Sequence, residues 1–120
     1  MTGILIVDDS PVNRRLLRTI LETAGYEVVG EAAIGIEGIA IFEEKTPRIV
    51  TLDVSMPEMN GIEALKLMKQ HNPNAKFIIL SAEGQMEKGR EAIAHGVDEY
   101  ITKPYKKSDI LDAIARCLQD

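Results

Sequence analysis

The sequence predicts an α/β fold in which a parallel sheet lies between two layers of helices. Short, mostly apolar runs at residues 4–7, 49–52 and 77–80 are typical of strands that are buried on both faces, as in parallel sheets. Segments with apolar residues at helical spacing separate these runs. Because parallel neighbours need a crossover between them, five strand–helix units in 120 residues predict a sheet with helices on both faces.

The elements alternate regularly along the chain. The first strand, residues 4–7, leads into a helix that Ser10 caps, that Pro11 opens and that Gly25 ends. The apolar stripe of this helix consists of Val12, Leu16, Leu17, Ile20, Leu21 and Ala24. We predict further strands over 27–31, 48–53, 76–81 and 97–102, with helices over 36–45, 61–71 and 85–95 and a last helix capped by Ser108.

The composition is that of an acidic globular domain. Hydrophobic residues make up 45% of the chain and charged residues 28%, and the net charge is −5 with no basic run beyond Lys106-Lys107. A nucleic-acid surface is therefore not expected. The single cysteine, Cys117, excludes a disulfide framework and a thiolate metal site. With no long apolar segment, we expect a cytoplasmic protein that does not insert into a membrane.

Polar side chains stand where four of the predicted strands end. These side chains are Asp8, Asp9, Asp53, Ser81 and Lys103. Each has an ordinary explanation: acidic residues stabilise a following helix N-terminus, a serine caps a turn, and a lysine is usually solvated. Because ligands bind beyond the carboxyl ends of parallel strands, the five together indicate a shared chemical site.

One reaction accounts for every residue type in this set. Three converging carboxylates repel one another unless a cation lies among them, and Mg²⁺ accepts carboxylate, water and phosphate oxygens. An aspartate carboxylate can also attack phosphorus to form an acyl phosphate. Phosphoryl transfer needs charge neutralisation on the phosphoryl oxygens, which Mg²⁺, Lys103 and Ser81 can supply.

The spacing of these motifs resembles the receiver domain of response regulators in bacterial two-component systems. The similarity rests on Asp8-Asp9, on Asp53 followed by Met56-Pro57 and Gly61, on Ser81-Ala82 and on Lys103-Pro104. It covers essentially the whole chain, residues 1–120, and is strongest to single-domain regulators of the chemotaxis type. The resemblance implies the flavodoxin-like (βα)5 fold, a five-stranded parallel sheet in the order 2-1-3-4-5.

The resemblance also implies the roles of the acidic residues. Asp53 would accept a phosphoryl group from a sensor histidine kinase. Asp9, Asp53 and the backbone carbonyl of Ser55 would ligate Mg²⁺, for which Mn²⁺ could substitute, and Asp8 would act largely through a bound water. Such a protein is a phosphoacceptor that catalyses its own phosphorylation and slow dephosphorylation, and it is not an enzyme in the usual sense.

The switch and its output surface follow from the same resemblance. Ser81 and Tyr100 would form the switch pair, although a tyrosine in a strand often only packs. Pro57 lies in the loop after Asp53, and Pro104 would follow a cis peptide bond. The predicted output face lies on the fourth helix, the fifth strand and the last helix, with Lys88, Arg90, Tyr100, Lys106 and Lys107. A monomer would bind a flagellar motor switch protein or a phosphotransfer protein through it.

Several positions depart from the family pattern. Ser81 stands where threonine is commoner, Tyr105 where phenylalanine is usual, and Ile34-Gly35 where Asn-Gly is common. None of these changes removes a reacting group. His71 and His95 match no site, and each is expected on the surface near a helix end.

Other functions remain open at this stage. A Mg²⁺-dependent phosphatase would need an acid two residues after its nucleophile, where this chain has Ser55 after Asp53. A receiver-like module that never receives phosphate would not need the intact acidic set. Flavin binding is excluded, since the chain has neither a Ser/Thr-rich phosphate loop after the first strand nor a tryptophan. Among receivers, a chemotaxis regulator, a phosphorelay intermediate and a fragment of a larger regulator share the same residues.

Overall fold

The structure, a computed structural model, describes residues 3–54, 61–82 and 86–119, apart from the side chains of residues 86, 88 and 89. Within these residues, five strands alternate with five helices. The strands are β1 (Gly3–Val7), β2 (Glu27–Ala32), β3 (Ile49–Asp53), β4 (Lys76–Ser81) and β5 (Glu99–Thr102). The helices are α1 (Pro11–Thr23), α2 (Gly35–Lys45), α3 (Gly61–His71), α4 (Met86–Ala94) and α5 (Lys107–Cys117).

The strands form one parallel sheet in the order β2-β1-β3-β4-β5, which confirms the predicted topology. The central strands β1, β3 and β4 are buried along almost their whole length. The edge strands β2 and β5 are partly exposed. This difference explains why the continuous apolar runs belong to the central strands, since only they are covered on both faces.

Helices cover both faces of the sheet and enclose two cores. Successive strand residues point to opposite faces, so that Leu5 and Val7 enter one core while Ile4 and Ile6 enter the other. The first core lies under α2, α3 and α4, and it includes Phe42, Leu52, Leu65, Met68, Phe77 and Ala92. The second lies under α1 and α5, and it includes Leu17, Leu21, Ile78, Ile110, Ile114 and Cys117.

The start of α1 follows the sequence prediction. The Asn13 backbone N–H donates to Ser10 Oγ at 3.2 Å, and Pro11 occupies the first turn, where its missing N–H costs no hydrogen bond. Gly25 follows the helix with φ +93°, a backbone conformation that side chains with a Cβ rarely adopt. The described helices are all too short or too polar to cross a lipid bilayer.

The start of α5 differs from the prediction that Ser108 caps this helix. The helix begins at Lys107, and Lys106 is the residue that precedes it. The Asp109 carboxylate accepts the Lys106 backbone N–H at 2.8 Å, which stabilises the first turn. Ser108 therefore lies inside the helix, because an acidic side chain reaching backward fixes the earlier start.

The apolar stripe of α1 is shorter than predicted. Leu17, Ile20 and Leu21 are buried, whereas Val12 is 75% exposed and Leu16 is 47% exposed. Leu16 lines an open cleft with residues that follow β4 and β5, which places the first turns of α1 beside the carboxyl edge of the sheet. These turns therefore lie beyond the strands that would bury them.

The last strand is also shorter than the predicted range of 97–102. The Asp98 carboxylate accepts the Phe77 backbone N–H at 2.8 Å, and the Asp98 N–H donates to the Phe77 carbonyl at 2.9 Å. Lys76 Nζ lies 3.8 Å from the same carboxylate. One backbone hydrogen bond and two contacts of the Asp98 carboxylate therefore join the chain to β4 before strand pairing begins at Glu99.

The Thr51 hydroxyl in β3 allows the stability cost of a buried polar group in the sheet to be tested. Its side chain is 1% exposed, and Oγ1 has no hydrogen-bond partner among the described residues. A buried hydroxyl without a partner destabilises a fold, so Thr51→Val, which keeps the branched shape, should raise the free energy of unfolding by about 1 kcal/mol. Urea denaturation measures the change, with the exposed Thr102→Val as control. A loss of stability in Thr51→Val would mean that the hydroxyl is bonded in solution.

Candidate functional site

Three carboxylates meet at the carboxyl edge of the sheet. Asp8 and Asp9 directly follow β1, and Asp53 is the last residue of β3. Because β1 and β3 are neighbours with Val7 opposite Leu52, their ends lie side by side. One carboxylate oxygen from each aspartate lies within 4.8 Å of the others. Asp8 and Asp53 are buried, while Asp9 is exposed, so the cluster opens to solvent on one side.

Hydrogen bonds fix both the backbone and the side chain of Asp8. Its N–H donates to the Ala32 carbonyl at 2.9 Å, and its carbonyl accepts Arg14 Nη1 at 2.6 Å. Its carboxylate Oδ1 accepts the Ser10 N–H at 2.8 Å. The second oxygen, Oδ2, is buried and accepts no hydrogen bond from the described residues. This oxygen can therefore still accept a contact from a cation.

Lys103 brings a positive charge to the cluster from the end of β5. Its Nζ lies 3.8 Å from Asp8 Oδ2 and 3.7 Å from Asp53 Oδ2, distances that give ion pairs. The Lys103 backbone N–H donates to the Ser81 carbonyl at 2.7 Å, and the bond to Pro104 is cis, as the resemblance implied. One ammonium therefore lies beside two of the three carboxylates, and the cluster carries excess negative charge.

The site favours the protonated form of Asp8. Burial is the main cause that raises the pKa of Asp8 above its ordinary value, and the nearby charges of Asp53 and Asp9 act in the same direction. The Ser10 N–H and the Lys103 ammonium oppose this rise in the pKa. The ionised form of Asp8 is thus less favourable here than in water, and a further cation beside it would stabilise that form.

The donor set suits a hard divalent cation. Carboxylate oxygens are preferred ligands of Mg²⁺ and Mn²⁺, whereas Zn²⁺ and copper sites usually include histidine or cysteine. Asp8 Oδ2 accepts no hydrogen bond from the described residues, and the Asp9 carboxylate is exposed, so the cluster has room for ligands other than protein. The three aspartates could therefore hold a metal ion.

The start of α3 packs directly on the backbone of Asp53. A Cβ built on Gly61 would lie 2.4 Å from the Asp53 carbonyl oxygen, closer than side chains ever approach. A glycine is therefore required for α3 to begin beside the site. Ser55, Met56 and Pro57, which the sequence analysis assigned to this loop, lie outside the described residues.

Ser81 and Tyr100 are in direct contact. Ser81 is buried at the end of β4, and its Oγ lies 2.6 Å from the Tyr100 hydroxyl. The Tyr100 ring packs against the core under α2, α3 and α4. This tyrosine therefore packs and also forms a hydrogen bond next to the acidic cluster.

The residues of the predicted output face have different positions. Arg90 is exposed on α4, and Lys106 and Lys107 are exposed at the start of α5. Tyr100 lies between them on β5, and the side chain of Lys88 is outside the described part of the chain. An open cleft runs between β5 and α5, lined by Tyr100, Ile101, Thr102, Asp109, Asp112 and Arg116.

Two residues near the site were not assigned a role from the sequence. The Tyr105 hydroxyl is buried, and it has no hydrogen-bond partner among the described residues. Burial, with the charges of Asp8 and Asp53, raises the pKa of Tyr105 to about 12. The second residue is Arg14, whose guanidinium bonds the Asp8 carbonyl. The departure from phenylalanine at Tyr105 was a signal in the sequence, but Arg14 is one of several arginines on α1.

Both histidines lie away from the cluster. His71 and His95 are exposed, as expected, and the His71 ring contacts the edge of Phe42 with ring centres 6.1 Å apart. His71 ends α3 and His95 follows α4, which fits their predicted location near helix ends.

Asp8→Asn tests the electrostatics of the cluster. Because the pKa of Asp8 is raised in the fold, its contribution to stability is present below the ordinary aspartate pKa and is lost as the pH rises through the folded value. Without divalent metal, Asp8→Asn should therefore be more stable than the wild type at pH 7. Asparagine keeps an oxygen for the Ser10 N–H, and the advantage should shrink towards pH 3.

Chemical denaturation across this pH range measures the difference, with Glu43→Gln on the exposed face of α2 as control. Lower stability of Asp8→Asn at pH 7 would mean that the attraction of Lys103 outweighs burial and repulsion.

Comparisons with known proteins agree with this geometry. The family model for the response regulator receiver domain matches residues 4–115. The chemotaxis protein CheY of Thermotoga maritima is 46% identical over 111 residues, which cover 92% of each chain. A receiver domain protein from Clostridium thermocellum superposes with a TM-score of 0.93 at 30% identity, covering 98% of this chain and 94% of that one.

A further solved structure is the CheX–CheY–BeF3–Mg²⁺ complex from Borrelia burgdorferi, with a TM-score of 0.93 at 29% identity over 99% of this chain and 90% of the other. The family match over nearly the whole chain, the relative at 46% identity and the shared sheet order all lead to one family. The chain belongs to the response regulator receiver domain family of two-component signalling.

Proposed function

We propose that residues 1–120 form a phosphoacceptor switch in which Asp53 accepts a phosphoryl group from a sensor histidine kinase. The observation that carries the proposal is the position of Asp53, which is buried beside two further carboxylates with Lys103 Nζ 3.7 Å from its Oδ2. The proposal is supported by the presence, at one sheet edge, of a buried carboxylate, two further carboxylates and the Lys103 ammonium. A phosphatase is less well supported, since Ser55 stands where its acid would be.

In the proposed reaction an Asp53 carboxylate oxygen attacks the phosphorus of a phosphohistidine. A P–O bond forms, the P–N bond breaks, and its electron pair remains on the imidazole nitrogen, which gains a proton. The product on this chain is an acyl phosphate, which water can later hydrolyse. The protein supplies mainly position and charge, as phosphoryl transfer requires.

Asp9 and Asp53, with the backbone carbonyl of Ser55, are the proposed ligands for Mg²⁺ or Mn²⁺, and Asp8 is proposed to act through a bound water. When bound, the cation neutralises negative charge on the phosphoryl oxygens. Support comes from the convergence of the three carboxylates and from the presence of Mg²⁺ and a beryllofluoride group in the Borrelia CheX–CheY complex.

Lys103 and Ser81 are proposed to bind the remaining phosphoryl oxygens. The Lys103 ammonium already faces Asp53, and it would form a charge-assisted hydrogen bond with the new group. Ser81 Oγ would move towards the phosphoryl group and donate to it. The Tyr100 hydroxyl, now 2.6 Å from Ser81 Oγ, would then donate to that oxygen as the ring turns inward. Consecutive hydrogen bonds of this kind strengthen one another.

The output face is proposed to comprise α4, β5 and α5, with Lys88, Arg90, Tyr100, Lys106 and Lys107. The cleft between β5 and α5 gives this face a concave surface beside Tyr100. Its exposed basic residues favour a partner segment that is acidic and apolar. Phosphorylation can change this face only if Ser81 and Lys103 bind the phosphoryl group better in one conformation than in the other.

We propose that the protein acts in the cytoplasm as a stand-alone regulator of chemotaxis. Support comes from the curated relatives named chemotaxis protein CheY, which align along almost their whole length. The partner would be a flagellar motor switch protein or a phosphotransfer protein, and the Borrelia complex contains CheX. A phosphorelay intermediate or a receiver within a larger regulator would use the same site.

Mass spectrometry tests the phosphoacceptor. With Mg²⁺ and acetyl phosphate, the wild type should gain one phosphoryl group that is lost at alkaline pH, as acyl phosphates are. Asp53→Asn should gain none, because an amide is a poor nucleophile. Asp9→Ala should be labelled at least tenfold more slowly at the same Mg²⁺ concentration, since it lacks a proposed metal ligand.

Lys103→Ala serves as a matched comparison, because it keeps the nucleophile and should still be labelled without passing the signal on. Stable phosphoserine at Ser81 in the wild type would contradict the assignment of Asp53.

Hydrogen exchange tests the output face. Adding beryllofluoride and Mg²⁺ should change exchange across residues 84–107, because Ser81, Tyr100 and Lys103 link the site to this region. Asp53→Asn is the control, since it should not hold the phosphoryl mimic. Changes restricted to the loop after Asp53 would show that the proposed face is wrong.

A further inference from the structure

The backbone carbonyl of Asp8 accepts a hydrogen bond from a helix side chain and not from a neighbouring strand. The β1 strand ends at Val7, so the Asp8 carbonyl lies beyond the last strand residue. It accepts Arg14 Nη1 from the second turn of α1 at 2.6 Å, while the Asp8 N–H donates to the Ala32 carbonyl at 2.9 Å. Both backbone groups of Asp8 are therefore fixed, one by β2 and the other by a guanidinium.

The guanidinium of Arg14 is itself held in place. Arg14 Nε lies 3.4 Å from Glu31 Oε1, and the Arg14 side chain is only 19% exposed. The other oxygen of Glu31 bonds Arg18 Nη1, and Arg18 Nε bonds Glu22 at 3.3 Å. Glu31 on β2 thus binds two arginines one helical turn apart, of which Arg14 contacts Asp8.

The Asp8 carbonyl belongs to the peptide plane that links Asp8 to Asp9. If this plane rotates, the Asp9 N–H and Cα turn with it, and so the Asp9 carboxylate moves. Asp9 is exposed, so packing does little to fix its side chain. A donor that fixes the carbonyl therefore fixes the place from which Asp9 reaches the cluster.

We propose that Arg14, held by Glu31, is a positioning residue of the acidic site, and that it fixes the Asp8–Asp9 peptide so that Asp9 can bind a divalent cation. The inference rests on the proposed function in that it takes the cluster to be a cation site. Partners that orient metal ligands from outside the ligand set typically contribute 10-fold to 100-fold in metal affinity.

The direction in which loss of Arg14 changes the cation affinity distinguishes a positioning role from a purely electrostatic one. Removing a positive charge near a cation site raises its affinity for a cation, if charge alone matters. Loss of a positioning contact lowers that affinity. Arg18 offers a matched control, because it lies on the same helix, carries the same charge and bonds the same Glu31. The contact with the Asp8 carbonyl comes from Arg14.

The experiment compares Mg²⁺ binding by the wild type, Arg14→Met and Arg18→Met through calorimetric titration at constant ionic strength. We expect Arg14→Met to bind Mg²⁺ about tenfold more weakly than the wild type. Arg18→Met should remain within about twofold of the wild type, or bind more tightly. Arg14→Lys keeps the charge but offers one donor group, so its Mg²⁺ affinity should lie between those of Arg14→Met and Arg18→Met. Equal or tighter Mg²⁺ binding by Arg14→Met than by Arg18→Met would overturn the proposal.

Amide exchange followed by NMR without metal provides a second readout. The Asp9 amide should exchange faster in Arg14→Met than in Arg18→Met at equal global stability, and equal rates would overturn the proposal. If Arg14→Met does not fold, Arg14→Lys is measured in its place with the same expected direction. A wild type that binds no Mg²⁺ would overturn the proposed function, and the Asp9 exchange rate would still decide the role of Arg14.

Discussion

Charge balance at the carboxyl edge of the sheet is the constraint on which the rest of the structure depends. Asp8 and Asp53 are buried, and the Lys103 ammonium lies 3.8 Å from Asp8 and 3.7 Å from Asp53. The exposed Asp9 carboxylate lies beside them. Buried like charges destabilise a fold unless they are paired. The clustered carboxylates therefore lower the stability of the fold, and the same juxtaposition makes them candidate ligands for a cation.

The sheet makes this juxtaposition possible because its core is rigid. The central strands β1, β3 and β4 are packed by helices on both faces, and close packing leaves little freedom for the strand ends to separate. The register of β1 with β3 places Asp8 next to Asp53. The loop ends are further tied by Ser10, by Arg14 and by the close approach of Gly61, so the carboxylates cannot relax away from one another.

The site is linked to the edge strand β5 by two adjacent contacts. The Lys103 N–H bonds the Ser81 carbonyl, and the Tyr100 hydroxyl bonds the Ser81 side chain. In the proposed mechanism Ser81 and Lys103 bind the phosphoryl group. Ser81 contacts Tyr100 in β5 and Lys103 directly follows β5, so a shift of either residue would affect this strand. The edge position of β5 matters here, because a strand with one neighbour can move with less disruption of the core.

The sequence by itself determined the elements whose signals are local. Apolar runs gave the central strands, Ser10 and Pro11 gave the start of α1, and the polar strand ends gave the acidic site with Lys103. Strand order came from the resemblance to a family. The tertiary structure decided what depends on contacts between elements. Helical spacing could not show that Val12 and Leu16 extend past the strands and stay exposed.

The structure also decided where α5 starts. The Asp109 carboxylate accepts the Lys106 N–H, so the helix begins at Lys107 and Ser108 lies inside it. The bond of Arg14 to the Asp8 carbonyl likewise had no sequence signal of its own. The sequence marked Tyr105 as a departure from the family pattern, but it did not show that the Tyr105 hydroxyl is buried. Spacing along a chain specifies which face of an element is apolar. The partner of a single polar atom is specified only when two elements are packed at a definite distance and angle.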